Sequence, residues 1–116
     1  MTVRRMKTYT GETGFVYQYY FVGHRRAIDD PATEYIFDVT SDRKVTFAVS
    51  VFVLDRAVAQ WEERHARALV EAERYATAKM RLFRAFDEVE NMIGEGRRLV
   101  IDSEGMEDLL TTLGVD

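Results

Sequence analysis

Between Asp55 and Ile93 the chain runs for 39 residues without a glycine or a proline and is rich in Ala, Glu and Arg, whereas much of the chain before Asp55 alternates apolar and polar side chains. The later pattern is helix composition, with Asp55 placed as its N-cap, and the earlier one is strand. A straight helix of that size would be about 58 Å long at the standard rise, against about 33 Å for a ten-residue strand. One small domain cannot cover such a rod. The stretch therefore either bends, with Arg67 to Val70 the expected place, or projects and packs on a second copy of the chain.

The strand region divides at its turn residues. Gly11-Glu12-Thr13-Gly14 predicts a hairpin, and Asp29-Asp30-Pro31 marks the next break because proline cannot donate to a ladder and holds its predecessor extended. Tyr35, Phe37 and Val39 share one face of a strand, as do Val45, Phe47, Val49, Val51 and Val53 of the next. Placing both sets on one side pairs Val39 with Val45, Phe37 with Phe47 and Tyr35 with Val49, around a Ser41-Asp42-Arg43 loop. The stretch Val16-Tyr17-Gln18-Tyr19-Tyr20-Phe21-Val22 is apolar or aromatic on both faces, with Gln18 its one plainly polar residue, so it reads as a central strand covered on both sides.

Gly94-Glu95-Gly96 ends the helical stretch. Residues 1–93 are read as one α+β domain and 94–116 as a linker and acidic amphipathic tail, in which 97–102 suit an edge strand and Met106, Leu109, Leu110 and Leu113 form one helical face ending at Gly114. The fold class expected is α+β: an antiparallel sheet of about four strands, followed by a long bent helix on one face and a short C-terminal amphipathic segment.

Charge and composition exclude several function classes. Residues 1–93 carry 14 Lys and Arg against 14 Asp and Glu, and residues 94–116 carry 2 against 6, so the net charge of −4 lies in the tail. Such a body lacks the broad positive field of a phosphate-backbone binder. Without cysteine there is neither a disulfide framework nor a thiolate metal site. Met1–Lys7 has no apolar run behind its charges, and no apolar run approaches the ~20 residues of a membrane span, so a cytoplasmic protein with no membrane association is expected. Gly-rich phosphate loops and Gly-x-Ser-x-Gly elbows are missing, and no cofactor is implied.

A few positions break the structural pattern. His24-Arg25-Arg26 follows the aromatic strand and could hold an anion, or combine with Tyr17, Tyr19 and Phe21 as a single-stranded nucleic-acid surface; the plainer reading is core aromatics with Arg25-Arg26 paired to Asp29-Asp30. Projected as one helix, Trp61, His65, Ala68, Ala72, Ala76, Phe83 and Phe86 form a stripe with Lys79 near its centre. A lysine there usually snorkels, and otherwise acts as a desolvated amine or anion anchor. Glu62 and His65 have the Glu-x-x-His spacing of di-iron bundles but no second motif, so no metal is expected. The leading expectation is a non-enzymatic interaction module, homodimeric, with a protein partner meeting residues 97–113. The alternative is an anion-binding or catalytic pocket between sheet and helix around Tyr35, His65 and Lys79, and the second alternative is nucleic-acid binding through the aromatic strand.

Overall fold

Lys7–Thr10 (β1), Val16–Arg26 (β2), Ala32–Thr40 (β3) and Phe47–Leu54 (β4) are consecutive antiparallel strands, and Arg98–Ile101 (β5) joins β4 in parallel, so the sheet runs β1-β2-β3-β4-β5. Asp55–His65 (α1), Glu71–Glu88 (α2) and the single turn Met92–Glu95 (α3) connect β4 to β5, and Ser103–Thr112 (α4) follows. The fold is α+β, with a mostly antiparallel sheet. The computed structural model describes residues 5–116, so part of the charged segment Met1–Lys7 lies outside the described residues. No helix among the described residues is long and apolar enough to cross a membrane.

All the alternating apolar sets noted above face the helices, apart from Val45. Tyr17, Tyr19, Phe37, Val39, Val49, Val51 and Val53 are buried there, with Leu82, Ala85 and Phe86 of α2 packed over them. Rings pair across the layers, Tyr17 with Phe86 at 4.2 Å and Tyr9 with Phe83 at 4.4 Å between centroids. Each such pair adds about 0.5–1.5 kcal/mol beyond its buried area.

The β3–β4 register differs from the expected one by two residues. Val39 faces Phe47, Phe37 faces Val49 and Tyr35 faces Val51, which keeps every side chain on its expected face while lengthening the connection to residues 41–46. The cause is local: the Asp42 carboxylate accepts the backbone N–H groups of Lys44 (2.8 Å) and Val45 (3.0 Å), and Thr40 Oγ1 accepts that of Arg43. These bonds stabilise a wider turn in which Arg43 takes a left-handed φ of 65° and Val45 is left exposed.

The helical stretch breaks where expected, into two helices rather than one bent helix. Ala66 turns left-handed, and the Glu62 carboxylate accepts the backbone N–H of Leu69 at 2.7 Å, drawing Leu69 into the core. Glu73 accepts the N–H of Val70 and is gripped by Arg67 at 2.9 and 2.8 Å. Two carboxylates thus replace the helical bonds lost at the break. Asp55 is the first residue of α1 rather than its cap; its carboxylate pairs with Arg26.

Residues 98–112 share the core of the rest. Leu99, Ile101, Met106, Leu109 and Leu110 are buried in the same cluster as the sheet, with α4 packed on α1 and α2. Asp102 starts α4 by accepting the Gly105 N–H, and Gly114, at a φ of 77°, ends it.

Candidate functional site

A β-bulge decides where the His24-Arg25-Arg26 run points. Phe21 faces Phe37 and Gly23 faces Ile36, leaving Val22 as an extra residue, and Gly23 accommodates the distortion with a φ of 155°. The alternation is reset, so the three side chains do not form one patch. His24 turns to the helix side against Tyr35, with centroids 5.4 Å apart. Arg25 turns to the opposite face, where its Nε donates to Glu34 Oε1 at 2.9 Å. Arg26 reaches Thr33 and Asp55. The partners are thus Glu34 and Asp55 rather than Asp29 and Asp30.

Of the pocket residues read from the sequence, Tyr35, His65 and Lys79 do not converge; Tyr35 instead meets His24, which the sequence placed in a separate candidate patch. The Tyr35 hydroxyl donates to Glu71 at 2.9 Å, and Glu71 is also 3.8 Å from His24 Nε2 and 3.5 Å from Arg74 Nε. Burial, then the bond to Glu71, pushes the Tyr35 phenol well above its ordinary range. Glu71 and Arg74 escaped sequence reasoning because a Glu and an Arg inside a charged helical stretch carry no signal of a distant partner. Lys79 is half-buried, its Nζ 5.9 Å from the ring centroids of both Tyr75 and Phe83. The break after His65 explains its place: with α2 rotated relative to α1, the buried line runs through Thr77, Ala78, Leu82, Ala85 and Phe86.

His65 belongs to a separate cluster. It stacks on Trp61 at 4.3 Å, and its Nε2 lies 2.7 Å from Glu107 Oε1, a contact that lowers the Glu107 carboxyl below its usual range. The guanidinium carbon of Arg67 lies 5.0 Å from the centre of the Trp61 ring. A cleft of about 740 Å³ runs beside this cluster, between α1 and α4, lined by Glu63, Glu104 and Glu107 with Trp61 as its apolar wall. Glu62 is held by Leu69 rather than facing His65, and no group of three or more His, Asp or Glu among the described residues could hold a metal ion.

The three rings read as a nucleic-acid surface lie under α2: Tyr17 and Tyr19 are buried, and Phe21 packs against Tyr75 at 4.7 Å. Met106, Leu109 and Leu110 likewise point into the chain's own core and Leu113 is half-buried, so this face of α4 is directed inward rather than offered to a partner.

Among the described residues, the opposite face of the sheet has no helix over it. Across it lie Val16, Tyr20, Val22, Ile36, Phe52 and Val100, with Arg25, Glu34, Asp38 and Arg98 among them. Val16, Val22 and Val100 are 46%, 48% and 50% exposed, whereas Glu34 is only 8% exposed because Arg25 and Ser50 bind its two oxygens and Arg98 lies over Phe52. The bond from Arg25 holds the Glu34 carboxyl below its usual range. Comparison with known proteins finds no family model, no curated protein and no solved structure that matches this chain.

Proposed function

We propose that this chain is a small non-enzymatic interaction module that works as a homodimer, with the helix-free face of the sheet as the surface between copies. The observation that carries the reading is that Val16, Val22 and Val100 are half-exposed on the sheet face that, among the described residues, carries no helical layer. The apolar doubling of β2 seen in the sequence is then a strand with one cover from α2 and another from the second copy. Charge does not oppose self-association: Arg25 and Arg98 share the face with Glu34 and Asp38, so two copies meeting there bring together a mixed surface rather than a field of one sign. Static light scattering at micromolar concentration should give about twice the 13.5 kDa chain mass. Val16→Asp with Val22→Asp should give one chain mass with an unchanged far-ultraviolet spectrum, since neither valine is in the core. A monomeric wild type refutes the proposal.

A further inference from the structure

At the end of the helix-free face nearest the β2–β3 loop, a cavity of about 340 Å³ opens between β4, β5 and the start of α1. Its walls are apolar, formed by Pro31, Phe52, Leu54 and Val100, and two cations, Arg56 and Arg98, stand over them. Arg98 is already oriented, its guanidinium carbon 4.4 Å from the Phe52 ring centre. Both oxygens of the neighbouring Glu34 are engaged, Oε1 by Arg25 and Oε2 by Ser50. Arg98 feels that carboxylate only at longer range, and neither Arg98 nor Arg56 makes a side-chain hydrogen bond or ion pair among the described residues. The cavity therefore joins an apolar floor to guanidinium donors that have no acceptor, the combination that orients a small ligand by one charged end.

We propose that this cavity is a binding site for a small monocarboxylate with an apolar or aromatic body. The carboxylate lies between the Arg56 and Arg98 guanidiniums, and the body covers Leu54, Pro31 and Val100. The charge balance selects a single negative charge: Asp30 also lines the cavity, and Asp29 lines the smaller hollow of about 120 Å³ that shares Phe52 and Arg98 with it, so a dianion would meet repulsion that a monocarboxylate escapes. The apolar walls select against a bare inorganic anion, which would desolvate them without contact. The site shares Val100 with the face proposed to lie between copies, while all of its walls and cations belong to one chain, so it is tested both in the dimer and in a monomeric variant.

The test is a titration of nitrogen-15-labelled protein with hexanoate, benzoate, benzamide, benzylamine and inorganic phosphate, followed through the amide signals of Phe52, Leu54 and Val100 and the Nε–H signals of Arg56 and Arg98. Hexanoate or benzoate should give saturable shifts at these positions. Arg56→Gln and Arg98→Gln should each weaken binding about tenfold, the size of one hydrogen bond to a charged group. Val100→Trp, which fills the cavity from an exposed position, should abolish it. Running the series on Val16→Asp with Val22→Asp separates this proposal from the dimer: binding by that variant alone supports the site and places it under the second copy. The proposal is overturned if neither carboxylate saturates in either protein, if benzamide or benzylamine binds as well as benzoate, or if phosphate matches both acids.

Discussion

Asp87 near the end of α2 fastens the first hairpin to the helical layer, and its removal has a calculable effect. One carboxylate oxygen accepts the Tyr9 hydroxyl at 2.7 Å and the other accepts the backbone N–H of Glu12 at 3.0 Å. The first bond is partly buried and ends on a charge, a class of interaction contributing about 1.5–3 kcal/mol, while the second is exposed and water replaces it at small cost. Asp87→Ala should therefore cost about 2 kcal/mol, lowering the melting temperature by roughly 8 °C at about 4 °C per kcal/mol for a chain of this size. Titration gives an independent readout. The bond to Asp87 raises the Tyr9 phenol to about 12 from its ordinary value of 10.0. Because the folded state holds this proton longer than the unfolded one, the contribution is complete below about pH 10 and is lost as pH rises towards 12. The gap between wild type and variant should close across that window, and the ultraviolet titration of Tyr9 should move back towards 10. Geometry adds a coupling: a Cβ at Gly11 would lie 2.8 Å from the same carboxylate, so Gly11→Ala should destabilise the wild type more than it destabilises Asp87→Ala. A melting change below about 2 °C, with Tyr9 still titrating late, would refute the fastening role.

Further outcomes test other parts of the molecule. Leu110→Ala, at a fully buried position of α4, should cost about 2–5 kcal/mol in a denaturant melt, and removal of residues 95–116 should abolish the cooperative transition because β5 and five core side chains go with it. Glu73 is depressed to about 2, first by its bond from Arg67 and then by the Val70 N–H, so its contribution is full above about pH 4.5 and is lost as pH falls towards 2. Glu73→Gln should accordingly lower the melting temperature at pH 7 and make little difference at pH 2. Lys79→Met keeps the stem over Tyr75 and Phe83 and removes only the cation–ring attraction, so chemical denaturation should show a change within about 1 kcal/mol. A larger loss there would mean the ammonium holds a buried anion.

What could be read from the sequence, and what could not, divides along a physical line. Period-two alternation settled which side of the sheet Tyr35, Phe37 and Val49 occupy, because a core face tolerates no slip of one residue. It could not choose between registers two residues apart, which keep the same faces; that choice fell to the Asp42 turn, whose hydrogen bonds to Lys44 and Val45 have no hydropathy signature. Helix content from 55 to 93 was visible in composition, and compactness argued for a break near Arg67. The phase change it introduces was not visible, so the stripe through Ala68 and Ala72, both exposed, dissolves in the fold. Likewise, His24, Arg25 and Arg26 are contiguous in sequence and divided in space by one extra residue at Val22, for which Gly23 was the only cue. Glu71, Glu107 and Asp87 make their contacts across 36, 42 and 78 positions of chain, and no local pattern announces them.

The central claim, that the helix-free sheet face is covered by a second copy, is tested most directly through the methyl groups that would lie beneath it. A soluble paramagnetic relaxation agent attacks methyls in proportion to their exposure, and Val45, Val70 and Ile93, at 53%, 58% and 51%, serve as exposed references away from the face. At high protein concentration the Val16, Val22 and Ile36 methyls should be protected while the references are not, and the protection should disappear on dilution or in Val16→Asp, read at Val22 and Ile36. Val16 and Val22 relaxing as fast as Val70 at every concentration would contradict the account.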